Sequence, residues 1–482
     1  MSHAVRMDQT PRPARPATGP VPVPGLWRES RADPLMKGIA CMLFTYVWRV
    51  QDIFPVLGAL HVPLVATGAS LLMFSASRQP WRRMIYLRTP IVKCVLGIFL
   101  VMLAGIPGSL WRGHSLSFAL EDYAQNIVFM GLVAVSIRSL RDVEWFTAVN
   151  LWGAVFYAMF VNLTFQVGPD GRLSNLVYYD ANDFGLVMVC TIPFAVYFLR
   201  SQSGSRRRLL GLIALGLFTL GIMKSGSRGG FLGLITVMLY VLLRYRAIPA
   251  RIRLTAALGG VALLSVLATG QYWDLMQTMM HPQSDYNFTD PSGRIGVWTR
   301  GLGYVKEHPL LGVGVGSFPI AEGTVSDLGR ELASRGAGFK WSVAHNSFLE
   351  TAAELGVPGF LLFVAVLVMT LWSMAHIRAG SRYGPLISKR ETALGQMLVG
   401  SLLGFMVSGF FVSAEYFSYL YFLIGLAVGL DKVLRLQRRA TMTAMAAYVP
   451  PVRLSSVPPG VLPGATLLAP PAASSAAAPP RS

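Results

Sequence analysis

The sequence contains few charged residues. Asp, Glu, Lys and Arg make up only 13% of its 482 residues, whereas hydrophobic residues make up 53%. A soluble domain contains about 25% charged residues. The scarcity of charge therefore excludes an ordinary soluble protein and predicts an integral membrane protein.

Cysteine is also scarce, with only three residues in the chain. Cys41, Cys94 and Cys190 lie inside apolar runs and have no paired Cys or Cys/His spacing. Isolated cysteines in apolar runs are typical of small buried side chains. The sequence therefore predicts neither a disulfide framework nor a cysteine-based metal site.

Acidic residues are outnumbered by basic ones, 23 against 42, which gives a net charge of +19. Such a charge is compatible with nucleic-acid binding, but no recognition module is present. The basic residues instead cluster between apolar runs, as they do in the cytoplasmic loops of membrane proteins. We therefore expect no nucleic-acid partner.

Long apolar runs are what the sequence has in abundance. A helix that crosses a bilayer needs about 17–25 predominantly apolar residues, and twelve runs approach this length. The predicted fold class is an all-α polytopic membrane protein with about twelve transmembrane helices. The predicted spans are 35–54, 56–76, 90–107, 124–140, 144–167, 182–199, 208–224, 229–245, 252–270, 356–376, 393–412 and 415–431.

The loops between these runs predict the orientation of the chain. Every second loop is basic, and these loops are 78–88, 138–141, 200–208, 244–253 and 378–390. Basic loops remain on the cytoplasmic side. With an even number of spans, both termini are then expected in the cytoplasm, and the remaining loops face outward.

Composition divides the chain into three regions. Residues 1–33 and 440–482 are rich in Pro and Ala, and we expect them to be disordered cytoplasmic tails. Residues 34–432 form the predicted transmembrane domain. Its polar interval 271–346, between spans 9 and 10, is longer than a plain connector. Helical patterning in this interval predicts a large folded loop on the outward, periplasmic face.

An arginine-bearing helix is predicted in the long loop. Asp290 followed by Pro291 is a favourable helix start, and apolar residues recur at helical spacing over 291–307. These residues are Ile295, Trp298, Leu302 and Val305. Arg294 falls in the first turn, where a cation opposes the helix dipole. It therefore indicates an anionic ligand, unless it is merely an exposed surface arginine.

A glycine-rich stretch, GVGVGSF, follows this helix at 312–318. It superficially resembles a phosphate-binding loop. A nucleotide fingerprint needs a strand before it and a helix after it in a βαβ unit, and neither is predicted here. We interpret the stretch as a tight turn that lets backbone segments pack closely.

His345 lies directly before the next apolar run. Ser347 and Glu350 have the spacing of a capping box, which predicts a helix that begins just after His345. The positive end of a helix disfavours imidazolium, so a neutral His345 is a candidate general base. Alternatively, it caps the helix or binds lipid headgroups. Glu350 and Glu354, one turn apart, either pair with an arginine or lie on the helix surface.

A second arginine lies in the short outward loop KSGSRGGFLG. Arg228 is flanked there by small residues that allow a bulky ligand to approach. The planar guanidinium fork suits a diphosphate, and Lys224 lies nearby. The alternative is an arginine that only anchors the helix end at the membrane interface.

The earlier outward loop, GPDGRLSNLVYYDANDFG, contains a third candidate arginine, Arg172. It also contains Asp180, Asn182 and Asp183, which are potential ligands for a divalent ion. Because the group begins an apolar run, a helix cap is the simpler interpretation.

Three motifs occur together in the second half of the chain: SGSRGGFLG, SGRIGVWTRGLGYVKEHPLLGVGVGSF and AHNSFLETAAELGVPGFLLF. With NDFG after the earlier outward arginine, they resemble the O-antigen ligase and polymerase superfamily of bacterial membrane glycosyltransferases, over roughly residues 172–363. The resemblance implies a GT-C-like architecture in the inner membrane. It also implies glycan transfer from undecaprenyl diphosphate at the periplasmic face, without a metal or another cofactor.

The resemblance also implies residue roles and partners. Arg228 and Arg294 would hold the donor diphosphate, with Arg172 as a further contact. His345 would act as the base or orient the acceptor hydroxyl. The supporting positions implied are Asn346, Glu350 and Asn182. The expected partners are the lipid-linked glycan donor, a glycan acceptor, the bilayer, and the flippase and chain-length regulator proteins of the same pathway.

The motifs leave several functions open. We favour polymerisation of oligosaccharide repeat units for O-antigen, exopolysaccharide or capsule, because the long loop is compact and no extra periplasmic domain is present. The alternatives are ligation of a glycan to lipid A core or to a protein. A transporter or flippase for polyprenyl-linked substrates would carry polar residues in mid-span and inverted repeats, whereas the polar candidates here lie in outward loops. A structural scaffold is the remaining alternative.

Overall fold

The fold is all-α in the part of the chain that the computed structural model describes, where the sole β feature is an isolated bridge between Val167 and Leu173. The predicted helical class is therefore confirmed. Most of the two predicted disordered tails, 1–33 and 440–482, lies outside the described residues. The described residues are 33–77, 84, 87–199, 204–246, 248–281, 283, 285–338, 341–378, 382 and 387–447.

The α-helices are numbered in chain order. They are α1 Pro34–Tyr46, α2 Val50–Ile53, α3 Pro55–Ala59, α4 Val62–Ser75, α5 Pro90–Gly105, α6 Arg112–Ser117, α7 Ala124–Ser136, α8 Leu140–Thr164, α9 Ala181–Phe198, α10 Ser205–Ser225, α11 Arg228–Arg244, α12 Ala250–Leu267, α13 Gly270–Gln277, α14 Tyr286–Thr289, α15 Arg294–Glu307, α16 Phe318–Thr324, α17 Asp327–Ser334, α18 Ser347–Ala375, α19 Lys389–Ser408 and α20 Ser418–Ala447.

Several helices have the length and apolarity needed to cross a membrane. Within the described residues, seven qualify, or eight if the bent pair α12 and α13 forms one span. A membrane protein is thus confirmed, but the predicted count of twelve spans is not. The seven are Pro90–Gly108, Arg112–Ser136, Leu140–Thr164, Ala181–Phe198, Ser205–Ser225, Ser347–Ala375 and Lys389–Phe411.

The first two predicted spans, 35–54 and 56–76, show why the count differs. Both runs are helical but broken, and their longest helices, α1 and α4, have only 13 and 14 residues. Arg49 and His61 adopt a left-handed backbone with φ of 48°, and a proline begins α3. These residues interrupt the helical hydrogen bonds, so neither run forms one continuous helix.

A predicted outward loop is helical instead. The sequence WRGHSLSFALEDYAQN, at 111–126, lies within a helical stretch that joins α6 to α7 through a π-helical segment at Phe118–Tyr123. The π-helix accommodates an extra residue per turn. Because these residues are helical, the loop between the predicted spans 90–107 and 124–140 is shorter than the sequence indicated.

The core of the bundle is centred on α9, in which almost every side chain is buried. It packs against α10, α11 and α19. Cys190 lies in this core, as predicted, but Cys94 is only partly buried and Cys41 is exposed on the bundle surface. The prediction of three buried cysteines was therefore wrong for Cys41. In a membrane protein, an apolar run does not show which residues lie in the core and which lie on the bundle surface.

The long interval 271–346 folds into short helices, α13 to α17, of which α15 and α16 pack against α18. A small separate apolar core joins it to the first turns of α18. The core residues are Val297, Tyr304, Val313, Phe318, Ala321, Ala344 and Ala353. At the other end of the chain, α20 continues to Ala447, so residues 440–447 are helical although the sequence assigned them to the tail.

Candidate functional site

Arg228 is the first residue of α11. The hydroxyl of Ser227 caps this helix by accepting a hydrogen bond from the backbone N–H of Gly230, at 3.1 Å. Small residues at the helix start leave the Arg228 backbone close to its neighbours. The nearby Lys224 donates to carbonyl oxygens at the end of α8, so its amine has a structural role.

The Arg172 loop packs directly on the turn before Arg228. Gly226 adopts a left-handed backbone with φ of 59°. A Cβ atom at this glycine would lie 2.7 Å from the Gly171 carbonyl oxygen and 2.8 Å from Arg172 Cγ. The Leu173 N–H also donates to the Lys224 carbonyl, at 3.0 Å. Two loops that are distant in sequence are thereby held together.

Arg228 forms an ion pair that the sequence did not predict, with Asp285 from the long interval. Asp285 is buried, with a side chain 2% exposed, and Arg228 is 14% exposed. Burial alone would raise the pKa of Asp285, but hydrogen bonds from Arg228 and Asn287 more than offset this and hold its pKa below the ordinary value. Asp285 is therefore a carboxylate at neutral pH.

Arg294 begins α15, three residues later than predicted. Gly293 is the N-cap, so the predicted start at Asp290 and Pro291 was wrong. The Asp290 carboxylate instead accepts hydrogen bonds from the N–H and the hydroxyl of Ser292. This local turn competes with helix formation and delays the start of α15. Arg294 is therefore the first residue of the helix, at its N-terminal end.

The three predicted arginines come together at this point. Burial lowers the pKa of Arg294, and the positive charges of Arg172 and Arg228 lower it further. An arginine nonetheless keeps its charge. Arg294, at the start of α15, therefore lies within electrostatic range of Arg172, in the loop before α9, and of Arg228, at the start of α11. Such a cluster is suited to an anion with more than one charge.

The buried face of α15 differs from the predicted one. Val297, Gly301 and Tyr304 face the interior, whereas Ile295 and Leu302 are 39% and 62% exposed. The helix packs on the start of α18, where a Cβ at Gly301 would be 3.1 Å from the Leu349 side chain. The one-residue shift arises because Gly301 allows close packing that apolar periodicity does not reveal.

Trp298 joins α15 to the segment that carries His345. Its indole Nε1 donates to the Ala344 carbonyl oxygen, at 2.9 Å. Its ring packs edge-on against Phe410, with centroids 5.5 Å apart. Phe410 precedes Phe411, which lies against Gly229 at the start of α11. The helix starts at Arg228 and Arg294 and the His345 segment therefore share one packed region.

His345 is partly buried, and its backbone is held in an uncommon conformation. Its φ is 49°, in the left-handed region that non-glycine residues seldom adopt. The preceding Ala344 N–H donates to Glu350 Oε2, at 3.1 Å. The following Asn346 caps α18 by accepting from the backbone N–H groups two and three residues later, at 3.0 and 3.2 Å. Contacts on both sides of His345 thus fix its position.

The cap of α18 is not the predicted box of Ser347 and Glu350. Asn346 is the N-cap. Ser347 instead donates to the Val412 carbonyl, at 2.7 Å, and accepts from the Ala414 N–H, at 2.8 Å. The helix does begin immediately after His345, as predicted. The residue that caps it differs because Ser347 is used to hold the loop that follows α19.

Three buried glutamates lie behind His345. Glu350 accepts from Ser413 as well as from Ala344. Glu354 accepts from the Phe318 N–H, at 3.0 Å, and from the Tyr416 hydroxyl, at 3.1 Å. In the described part of the chain their donors are backbone amides and hydroxyls, so neither predicted alternative, an arginine partner or a surface position, was right. The third, Glu415, was not singled out from the sequence.

The glycine-rich turn packs tightly against α18, as predicted. Gly312, Gly314 and Gly316 all have positive φ, of 66°, 102° and 69°. A Cβ at Gly312 would lie 2.2 Å from the Glu354 carbonyl carbon, and one at Gly314 would lie 2.1 Å from the Ser109 hydroxyl. Each position therefore needs glycine for both its conformation and its close packing. The turn therefore has a structural role in packing.

Asn182 lies at the start of α9, where Asp180 and Asp183 form a capping box. This agrees with the predicted helix cap. Asn182 is buried, and its N–H donates to the Asp180 carboxylate, at 2.6 Å. One turn later, a Cβ at Gly185 would be 3.1 Å from Ser227, so this helix start adjoins the turn before Arg228. Among the described residues, no group of three or more His, Cys, Asp and Glu has the arrangement of a metal site.

Comparison with known proteins gives a family match for part of the chain. No curated protein matches the chain. Residues 212–364 match the family model described as O-Antigen ligase. The matched segment contains Arg228, Arg294 and His345, and overlaps most of the range over which the motifs carried the resemblance. The match over residues 212–364 confirms the predicted relationship to the O-antigen ligase and polymerase superfamily.

Proposed function

We propose that the protein is a glycosyltransferase that polymerises undecaprenyl-diphosphate-linked oligosaccharide repeat units at the periplasmic face of the bacterial inner membrane. The family match supports an O-antigen ligase or polymerase activity in general. The observation that carries the proposal further is the convergence of Arg172, Arg228 and Arg294. Two cations at helix starts, together with Arg172 from a loop, suit a lipid diphosphate, which is doubly or triply charged.

In the proposed reaction, a hydroxyl group of the acceptor sugar attacks the anomeric carbon of the donor glycan. His345 accepts the hydroxyl proton. The new bond joins the acceptor oxygen to the anomeric carbon, and the bond from that carbon to the phosphate oxygen breaks. Undecaprenyl diphosphate departs with the bonding electron pair, and the arginines stabilise the charge that develops on it.

The proposal assigns supporting roles to the residues around these groups. Glu350 and Asn346 hold the backbone on either side of His345, which fixes the direction of its side chain. Asn182 stabilises the start of α9 against the turn before Arg228. Because three guanidinium groups supply the positive charge, the proposed reaction uses neither a divalent metal nor another cofactor.

The orientation remains part of the proposal. The alternation of basic loops supports cytoplasmic termini and a site that opens to the periplasm. The proposed substrate is therefore a lipid-linked glycan that has already crossed the membrane. A flippase that delivers this donor and a protein that regulates chain length are the expected partners in the same pathway.

The deciding experiment uses purified full-length protein in lipid nanodiscs. It is incubated with an undecaprenyl-diphosphate oligosaccharide, with and without a lipid A core acceptor. A ladder of longer lipid-linked glycans is the expected result. Transfer only to the core would replace polymerase by ligase. Absence of transfer to either acceptor, by protein that binds the donor, would contradict both.

A further inference from the structure

The geometry points to Asp285 as a positioning residue that holds Arg228 in the orientation needed to bind the donor diphosphate. This role rests on the proposed function and adds a residue that the motifs did not include. Asp285 lies in the long interval, 57 positions along the chain from Arg228. Its carboxylate nevertheless reaches the guanidinium at the start of α11.

The carboxylate is itself fixed. Its Oδ1 atom accepts from the backbone N–H of Asn287, at 3.2 Å, and from the Asn287 side-chain amide, at 3.0 Å. Its Oδ2 atom accepts from Arg228 Nη1. Since the side chain is only 2% exposed, it is held in place as part of the fold. If the donor diphosphate displaced the Asp285 carboxylate from Arg228, we would expect that carboxylate to have fewer hydrogen bonds to the protein.

The ion pair with Asp285 uses the Nη1 atom of the Arg228 guanidinium. The edge that carries Nε is not part of this ion pair. Within the described residues, Arg228 Nε is buried and has no hydrogen-bond partner. A buried donor without a partner is unfavourable, so the protein alone does not satisfy this group. An arginine held at Nη1 presents its Nε edge in a fixed direction, and a phosphate oxygen is the acceptor that such an edge binds best.

Asp285 also sets the distance between two of the arginines. It is the N-cap of α14, and α14 packs against the residue before Arg294. A Cβ at Gly293 would lie 2.4 Å from the Tyr286 carbonyl oxygen and 2.8 Å from Asn287 Cα. The same short helix therefore holds Arg228 through an ion pair and the start of α15 through backbone contact.

Charge balance gives a further reason for the carboxylate. Arg172 and Arg228 both act on Arg294 as like charges, and three unneutralised cations in one site repel one another. Without Asp285, we expect the Arg228 side chain to turn away from the other two arginines. The negative charge thus makes the cluster more compact, although it removes part of its attraction for the donor.

The test is a double-mutant cycle on the full-length protein, measured as glycan transfer from an undecaprenyl-diphosphate oligosaccharide. Asp285→Asn keeps the helix cap, because Asn caps helices as well as Asp. It removes the negative charge that pairs with Arg228. We expect kcat/KM to fall about tenfold to a hundredfold. The loss should appear both as a higher donor KM and as a lower kcat, because Arg228 is proposed to bind the donor diphosphate and to stabilise the charge of the departing one. Asp327→Asn, which removes an exposed pair with Arg330 in the same interval, is the matched control and should be neutral.

The second half of the cycle separates positioning from general support of the fold. In an Arg228→Gln background, Asp285→Asn should cause no further loss, because the residue acts through Arg228. An equal loss in both backgrounds would overturn the inference, and so would unchanged kcat/KM in the single variant. A lower donor KM would also overturn it, because Asp285 would then compete with the diphosphate.

Two additional measurements keep the outcome clear. If Asp285→Asn does not fold, Asp285→Glu retains the charge but displaces Arg228 by one methylene. We then expect a reduced kcat, and full activity would overturn the inference. A parent protein that transfers no glycan would contradict the proposed function itself, whereas an active parent with a fully active Asp285→Asn variant would contradict only the role of Asp285.

Discussion

The indole Nε1 of Trp298 donates a hydrogen bond to the carbonyl oxygen of Ala344, 2.9 Å away. This bond connects the second turn of the helix that begins at Arg294 to the residue directly before His345. The proposed donor-binding group and the proposed base are therefore positioned by a common contact. Changes in one are expected to be transmitted to the other.

Trp298→Phe tests this connection. The variant keeps the aromatic contact with Phe410 but removes the hydrogen bond. We expect kcat/KM for glycan transfer to fall about two- to tenfold, which corresponds to the net free energy of one hydrogen bond. Trp152→Phe, at an exposed position of α8, is the control. Equal activities of the two variants would show that the bond does not position His345.

His345→Gln is expected to abolish most of the glycan transfer while leaving donor binding intact. Glutamine preserves polarity and approximate size but accepts no proton. General base catalysis contributes about 10²–10⁴-fold, and single-turnover transfer should fall by that factor. His308→Gln, at the exposed end of α15, is the matched control. A His345→Gln variant with nearly normal single-turnover rates would remove the proposed base.

Arg228→Lys and Arg294→Lys should each weaken binding of undecaprenyl diphosphate. Lysine retains the charge but lacks the planar fork that binds two phosphate oxygens at once. The loss of one charge-assisted hydrogen bond corresponds to about tenfold to a hundredfold in affinity. Binding is measured with a fluorescent analogue of the lipid diphosphate. Arg330→Lys, at an exposed position, should bind as the parent does, and parental affinity in both site variants would contradict a bidentate clamp.

Gly314→Ala should destabilise the turn that packs against α18. Its φ of 102° is unfavourable for alanine, and the new Cβ would meet the Ser109 hydroxyl. We expect the free energy of unfolding to fall by more than about 1–2 kcal/mol, seen as a lower thermal midpoint. Gly303→Ala, inside α15 with open space around it, should instead stabilise by about 0.5–1 kcal/mol. Similar midpoints for the two variants would show that the turn tolerates side chains.

Removal of divalent cations with a chelator should leave glycan transfer unchanged. The three arginines supply the positive charge that a metal would otherwise bring to the diphosphate. The complementary variant is Arg294→Gln, which we expect Mg²⁺ not to rescue at any concentration. Loss of transfer on chelation, restored by added Mg²⁺, would show that the reaction uses a metal.

The sequence predicted the helical class, and it singled out Arg172, Arg228 and Arg294 before their contacts were known, because both inferences depend on strong local signals. Apolar runs determine where helices form, and small residues next to Arg228 mark a close approach of backbone. Its failures have specific causes. The Asp290 turn displaced the start of α15, and left-handed residues at Arg49 and His61 interrupted two predicted spans. Local side-chain hydrogen bonds and single backbone conformations decide such points, and periodicity does not detect them.

The contacts between distant loops were beyond prediction. Asp285 is an ordinary acidic residue in its own segment, and only the fold shows that it pairs with Arg228. Glu415 is similarly inconspicuous, although it is buried beside two other glutamates. The two parts of the chain must meet in space before either residue acquires a role. Composition and spacing do not show which distant segments of a chain come into contact.

Both Arg228 and Arg294 are first residues of long helices, and this placement has a consequence for engineering. A helix start carries about half a positive charge from its own backbone. Truncating both side chains would therefore not produce a neutral site, because the partial positive charge of the two helix starts would remain. Residual affinity for anions in such a variant would measure what the main chain alone contributes. A redesigned site for a different anionic substrate can begin from that backbone contribution and change only the side chains.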